Sequence, residues 1–185
     1  MSPATTALVT AEEFFALPHP ADGSKQELVR GEVVTMPGPG FEPGEVQGNV
    51  YFAIKTFLKA NPVGRVAVES GTVTERDPDT VRGPDVSYYS AARLPLGQRV
   101  QKYHTEAPDL CVEVVSPSNS PRKLKDKAKE YLFAGVRAVW IVDPEERTVT
   151  IITEPLQSRT LEVGATLDGG DALPGFACPV AELFG

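Results

Sequence analysis

The chain has 185 residues, of which 41% are hydrophobic and 23% charged, so it is long enough and apolar enough to bury a core. Its formal net charge of −7 argues against a general coating of nucleic acid or of an anionic membrane, although a local basic patch at 122–129 stays open. We expect one globular domain over residues 1–185.

Cysteine content and hydropathy indicate the compartment. The two cysteines, Cys111 and Cys178, are far apart, and neither belongs to a zinc-binding pattern. They are typical of reduced intracellular thiols rather than of a disulfide framework. The N-terminus lacks the basic and apolar segments of a signal peptide, and no stretch is apolar enough to span a bilayer. We therefore expect a cytoplasmic protein without a membrane partner.

The first half of the chain alternates between short helices and strands. Thr10 and Glu13 form a capping-box pattern that predicts a helix over 11–17, and a hairpin with its turn at Arg30-Gly31 follows. The proline- and glycine-rich residues 37–45 indicate a loop, after which the apolar periodicity predicts a helix from about Glu45 to Ala60. Strands are expected over 65–75 and 86–89, with a charged turn over 76–83 between them.

The second half is organised around residues 108–144, which read as a strand, a polar turn, a helix and a second strand. An irregular, exposed segment over 91–108 precedes this unit. A turn and an antiparallel return strand follow it, and then come short strands and a terminal helical turn at 179–184. This order predicts an α/β or α+β domain, with a mixed central β-sheet flanked by helices.

Two charged residues lie where apolar residues are expected. Glu113 interrupts an apolar run that is typical of a strand covered on both faces, and a carboxylate buried there must be paired or bound to a metal. In the next helix, Lys127 comes three residues after Leu124 and four before Tyr131, so it lies at the edge of the apolar stripe. An acid in a buried strand and a lysine that faces it from the next helix suggest a site.

Two further acids have a suggestive context. Asp85 follows Pro84 at the start of a short strand, and Glu27 opens the first strand. Carboxylates that converge with a lysine suit metal-assisted hydrolysis of a phosphodiester, because their oxygens hold Mg²⁺ or Mn²⁺. The metal polarises the phosphoryl oxygen and helps to generate hydroxide, while the lysine orients the water or stabilises the developing charge.

These residues resemble the PD-(D/E)XK nuclease signature. Pro84-Asp85 and Glu113 match its acids; Val115 stands at the usual lysine position, and Lys127 would supply the lysine from the following helix. Longer segments resemble the Uma-two family of restriction-endonuclease-like proteins. They are ELVRGEVV (27–34), GPDVSYY (83–89), DLCVEVVSPSN (109–119), KDKAKEYLFAGVRAVWIVDPEERTVTI (125–151) and LPGFACPVAELF (173–184).

The resemblance implies a restriction-endonuclease-like PD-(D/E)XK core, Mg²⁺ (or Mn²⁺) as cofactor and DNA as substrate. It implies that Asp85 and Glu113 bind the metal together with the backbone carbonyl of Val115. It also implies that Lys127 is the catalytic lysine and that Glu27 is an assisting N-terminal acid. We therefore expect a Mg²⁺-dependent DNA endonuclease.

Simpler roles stay open for the same residues. Glu113 and Lys127 could form a structural ion pair, Asp85 could be a turn residue, and Glu27 could be a solvated acid at a strand end. Many relatives carry a histidine where this chain has Glu42-Pro43-Gly44. That departure and the net charge of −7 favour an alternative function, a nuclease-like scaffold that binds nucleic acid or a protein without turnover.

Phe133 concerns the assembly rather than the site. It faces away from the apolar stripe of its predicted helix, which indicates a contact surface. A homodimer would explain an apolar residue there, and so would a covering loop.

Overall fold

The computed structural model describes residues 8–117, 119–155 and 157–185. Within these ranges the chain forms α-helices, β-strands and one short 3₁₀ helix. The helices are α1 (Ala11–Ala16), α2 (Phe41–Ala60), α3 (Pro121–Phe133) and the 3₁₀ helix Val180–Leu183.

The strands form two principal sheets and a small two-stranded one. The strands are β1 (Lys25–Val29), β2 (Glu32–Met36), β3 (Gly64–Val68), β4 (Thr72–Glu75), β5 (Thr80–Arg82), β6 (Val86–Ser90), β7 (Leu110–Val114), β8 (Ala138–Asp143), β9 (Thr148–Glu154), β10 (Gln157–Leu161), β11 (Thr166–Asp168) and β12 (Ala177–Pro179). The larger sheet has the order β10-β9-β8-β7-β6-β3, the smaller one has the order β2-β1-β5-β4, and β11 pairs with β12.

The larger sheet is mixed. Strands β7 and β8 run parallel, whereas its other described pairs are antiparallel. Parallel neighbours need a crossover, and α3 provides it between β7 and β8. The prediction of a mixed sheet flanked by helices is therefore confirmed.

Strand β7 is covered on both faces, as its apolar run predicts. Leu110, Val112 and Val114 belong to the main core together with residues of α2. Cys111 points to the opposite face and packs in a second cluster with Ala128 and Tyr131 of α3. Glu113 shares this second face because side chains alternate along a strand.

Local signals set several element boundaries. The predicted capping box of α1 is present, with the side chain of Thr10 bonded to the N–H of Glu13 and the side chain of Glu13 bonded back to Thr10. Helix α3 begins after the N-cap Ser120 with Pro121 in its first turn, where a missing N–H costs nothing. Beyond its C-terminus, Gly135 adopts φ +98°, a left-handed conformation that favours glycine.

Three predictions about the first half were wrong in their limits. Helix α2 begins at Phe41 rather than at Glu45, because Pro43 lies in the first turn, where a backbone N–H has no helical partner. The expected strand 65–75 is two strands in different sheets, separated at Glu69, which has φ +52°. The charged segment 76–83 contains β5 and is not only a turn.

Candidate active site

Asp85 and Glu113 meet across two neighbouring strands. Strands β6 and β7 pair antiparallel with Val86 opposite Val112, so one residue further along Asp85 stands opposite Glu113. Residues opposite each other in such a pair share a face of the sheet. The N–H of Val114 donates a 2.7 Å hydrogen bond to Oδ2 of Asp85, which fixes this carboxylate at the end of β7. Both acids are buried, and Asp85 lies in the bend directly before β6.

Glu113 is 3% exposed and is held by two side chains of α3. The hydroxyl of Tyr131 donates to its Oε1 at 2.7 Å. The ammonium Nζ of Lys127 lies 2.9 Å from Oε1 and 3.0 Å from Oε2. Burial raises the pKa of Glu113 to about 7, with the positive charge of Lys127 opposing the shift and the negative charge of Asp85 adding to it.

Glu27 reaches the site from the smaller sheet. The pairing of Leu28 with Val81 places Glu27 opposite Arg82, and Arg82 Nη1 donates to Glu27 Oε2 at 2.9 Å. Its other oxygen lies 2.9 Å from Nζ of Lys127. Burial opposes ionisation of Glu27, but Lys127 and Arg82 together hold its pKa below the usual value. Because Glu27 is 3% exposed, it is not a solvated acid at a strand end.

Lys127 bridges the two acids that come from different sheets. Burial disfavours its charged form, but the negative charges of Glu113 and Glu27 outweigh that effect and raise its pKa. The side chain is therefore an ammonium at neutral pH and can stabilise negative charge, but it cannot act as a base there. The ion pair between Glu113 and Lys127 that the simpler interpretation required is present.

Lys25 belongs to the same cluster, although it was not among the residues predicted for the site. It lies two residues before Glu27 on β1, so both side chains leave the same face of the strand. Its Nζ lies 2.8 Å from Oδ1 of Asp85 and also forms an ion pair with Glu69. The period of two between Lys25 and Glu27 was the sequence signal that could have revealed it.

A small cavity of about 50 Å³ lies beside four of these charged residues, Lys25, Asp85, Glu113 and Lys127. Its lining combines charged side chains with residues before α2, with residues of the first two turns of α2, and with residues at and after the end of β7. They are Lys25, Met36, Pro37, Pro39, Pro43, Gln47, Gly83, Asp85, Glu113, Val114, Ser116, Asn119 and Lys127. Val115 lies between two lining residues, and its own N–H donates to the carbonyl of Val142 at 2.8 Å, which continues the β7–β8 pairing.

The donor chemistry at this cavity fits a hard divalent cation. Asp85 and Glu113 supply carboxylate oxygens, and Mg²⁺ is usually held by one or two carboxylates with water completing its shell. Within residues 8–117, 119–155 and 157–185, no group of three or more His, Cys, Asp or Glu side chains is arranged to hold a metal.

The family assignment rests on most of the chain rather than on these side chains alone. The model of the Uma2 family, described as "Putative restriction endonuclease", matches residues 11–181. The chain belongs to the Uma2 family. The matched range contains Glu27, Asp85, Glu113 and Lys127, and the resemblance stated from the sequence is confirmed. Membership of Uma2 supports an enzyme of the nuclease type.

A solved structure supports the fold of this Uma2 chain. It is the crystal structure of a "putative nuclease belonging to DUF820" from Anabaena variabilis ATCC 29413. The TM-score is 0.81 at 22% sequence identity, over 95% of this chain and 97% of that chain. The predicted restriction-endonuclease-like fold is confirmed.

Two further observations concern similarity to curated proteins and the presence of membrane-spanning helices. Among the curated proteins searched, none matches the sequence. No helix in the described part of the chain is long and apolar enough to cross a membrane. A single domain over residues 1–185 and a cytoplasmic location stay predictions.

Proposed function

We propose that this Uma2 protein is a Mg²⁺- or Mn²⁺-dependent endonuclease that hydrolyses phosphodiester bonds of DNA. One observation carries the proposal: Asp85 and Glu113 stand opposite each other at one cavity, with the ammonium of Lys127 2.9 Å from Glu113. Two buried carboxylates and a lysine at one small cavity are what a metal-assisted attack of water on a phosphodiester requires.

Each residue has a role in the proposed reaction. Asp85, Glu113 and the carbonyl of Val115 would hold the cation, which supplies Lewis acidity and a water of lowered pKa when it is bound. Lys127 would orient the attacking water and stabilise the charge that develops on the phosphoryl oxygens. Glu27 would act through Lys127, because its carboxylate holds the ammonium beside Glu113.

A nuclease-like scaffold without turnover is the second candidate function, and a specific observation favours it. Each proposed carboxylate ligand already contacts an ammonium group, Asp85 that of Lys25 and Glu113 that of Lys127. The carboxylates are thus neutralised without a metal, and the net charge of −7 disfavours a broad DNA-binding surface. Metal binding by the two acids separates this candidate from the nuclease.

Homodimerisation is the partner interaction that we propose in addition to DNA. The side chain at the end of α3, Phe133, is 79% exposed, in agreement with the orientation inferred from the sequence. A second copy packed against it would remove this ring from water and would provide a second cavity for the opposite DNA strand.

Calorimetric titration with Mg²⁺ and Mn²⁺ is the direct test of the nuclease proposal. We expect saturable binding by the wild-type protein and its loss in the Asp85→Asn/Glu113→Gln double variant. The matched control is Glu154→Gln/Asp171→Asn, which removes two exposed acids away from the cavity. Nicking of supercoiled plasmid DNA should follow the same pattern. If metal binding or cleavage is unchanged in the Asp85/Glu113 variant, these acids are not the site.

A further inference from the structure

Lys25 has no part in the function proposed above, although it is built into the cavity. Its ammonium lies between two carboxylates, that of Asp85 at 2.8 Å and that of Glu69. The negative charges of Asp85 and Glu69 outweigh the effect of burial and raise the pKa of Lys25, so the side chain is a cation at neutral pH. A positive charge therefore already occupies one oxygen of a proposed metal ligand.

The second carboxylate gives this ammonium an alternative partner outside the proposed ligand set. Glu69 has φ +52° at the point where the chain leaves β3 for the smaller sheet. The side-chain amide of Gln47 donates to Glu69 Oε1 at 2.9 Å and to the backbone carbonyl of Asp85 at 3.0 Å, which keeps the two acids together. Lys25 can thus leave Asp85 and stay paired with Glu69.

We propose that Lys25 occupies the metal position on Asp85 in the metal-free protein and withdraws to Glu69 when a divalent cation binds. This inference rests on the proposed function, since it takes Asp85 as a metal ligand. A divalent cation and an ammonium cannot share one carboxylate oxygen without strong like-charge repulsion. The affinity of the site for metal is therefore set by the competition between the divalent cation and Lys25 for Asp85. Glu69 favours metal binding because it gives Lys25 another partner.

The same competition couples the binding of metal to the binding of substrate. A phosphate group in the cavity gives the ammonium of Lys25 an anionic partner other than Asp85. A nucleic-acid phosphate therefore strengthens metal binding, and metal binding strengthens phosphate binding by the same factor. Lys25 is in this sense a positioning residue that delays full metal loading until the substrate is present.

Titration of the full chain with Mn²⁺, followed by the loss of the free-ion electron paramagnetic resonance signal, tests the competition without any cleavage. We expect Lys25→Gln to bind Mn²⁺ at least about 10-fold more tightly than the wild type, because the competing charge is gone. We expect Glu69→Gln to bind it several-fold more weakly, because Lys25 then has Asp85 as its remaining acidic partner. Lys55→Gln, which removes an exposed lysine of α2, should leave the affinity unchanged.

Lys25→Gln and Glu69→Gln are expected to change the affinity for Mn²⁺ in opposite directions, so either variant alone can contradict the proposal if the other folds poorly. Equal or weaker Mn²⁺ binding by a folded Lys25→Gln variant overturns it, and so does tighter binding by Glu69→Gln. If the wild type binds Mn²⁺ through Asp85 and Glu113 but neither variant changes the affinity, the Lys25 proposal alone fails. If no variant binds Mn²⁺, Lys25→Gln included, the metal-dependent function fails with it.

Discussion

Lys127 and Glu27 come from different layers of the fold and are joined by an ion pair of 2.9 Å between Nζ and Oε1. Lys127 belongs to α3, which packs on the larger sheet, and Glu27 belongs to β1 of the smaller sheet. The pair therefore ties the two sheets together at the cavity. Because Lys127 also contacts Glu113, the geometry of the site depends on how the sheets are docked.

Replacing Lys127 by methionine should abolish cleavage while keeping the length of the apolar part of the side chain. We expect a loss of at least about 100-fold in the rate of plasmid nicking, because the charge beside the reacting phosphate is removed. Lys129→Met is the matched control, since Lys129 lies on the same helix and pairs only loosely, at 3.8 Å, with Asp126. Wild-type cleavage by the Lys127 variant would remove this residue from the mechanism.

Arg82 is the second cation that links the sheets, and its removal should destabilise the fold. It lies between Glu27 at 2.9 Å and Glu130 of α3 at 2.6 Å. Glu27 is buried and the Arg82 side chain is 15% exposed, and Lys127 remains as a partner of Glu27 when Arg82 is removed. Arg82→Met should therefore lower the free energy of unfolding by about 3 kcal/mol, the lower end of the range for a buried pair, in urea denaturation. A double-mutant cycle with Glu130→Met should show coupling between the two residues.

The exposed Arg122 provides the control for that experiment. Its ion pair with Asp126 is on the surface, where both side chains are more than half exposed, so Arg122→Met should cost no more than about 1 kcal/mol. Equal losses from Arg82→Met and Arg122→Met would show that the partly buried position of Arg82 contributes nothing measurable.

The part of the site on consecutive elements could be predicted from the sequence. Glu113 stood out because charge is costly in a strand with apolar neighbours, and Lys127 because helical spacing placed it at the edge of the buried stripe. Both inferences need only the local period of a strand or a helix. The structure brings these side chains into contact.

The contacts of the smaller sheet were beyond reach of the same reasoning. Strand β5 has three residues, too few for a visible alternation, and it lies in a segment whose charges resemble a turn. Its residue Arg82 meets Glu27 through strand pairing and Glu130 through packing of one layer on another. Such contacts depend on the docking of elements far apart in sequence. Lys25 differs in this respect, because its spacing of two from Glu27 on β1 is visible in the sequence.

The raised pKa of Glu113 predicts a pH-dependent stability. Its folded-state pKa is about 7 against an ordinary value of 4.5, so the unfolded chain releases this proton at lower pH than the folded chain does. The contribution of Glu113 protonation to the free energy of unfolding is therefore complete below about pH 4.5 and is lost as the pH rises to about 7. At 1.36 kcal/mol for each pKa unit, the loss is on the order of 3 kcal/mol.

Urea denaturation of the wild type and of Glu113→Gln across this pH range measures the effect. The glutamine variant cannot titrate at this position, so the difference in unfolding free energy, wild type minus variant, should fall between pH 4.5 and 7. Tyr131→Phe is a useful companion, because it removes the 2.7 Å hydrogen bond to Glu113 and retains the carboxyl group. A difference that is flat with pH would show that Glu113 is not perturbed.

Phe133 should decide the oligomeric state if the homodimer is correct. Its ring is 79% exposed, and burying a phenylalanine side chain contributes about 1.5–3 kcal/mol, counted once for each copy in a symmetric dimer. Phe133→Ser should therefore weaken dimerisation by at least about 100-fold in sedimentation equilibrium. Phe52→Ser is the control. Phe52 is 69% exposed on α2, so this substitution makes the same chemical change at another exposed position. A monomeric wild type would contradict the dimer, and dissociation by Phe52→Ser alone would assign the interface to α2 instead.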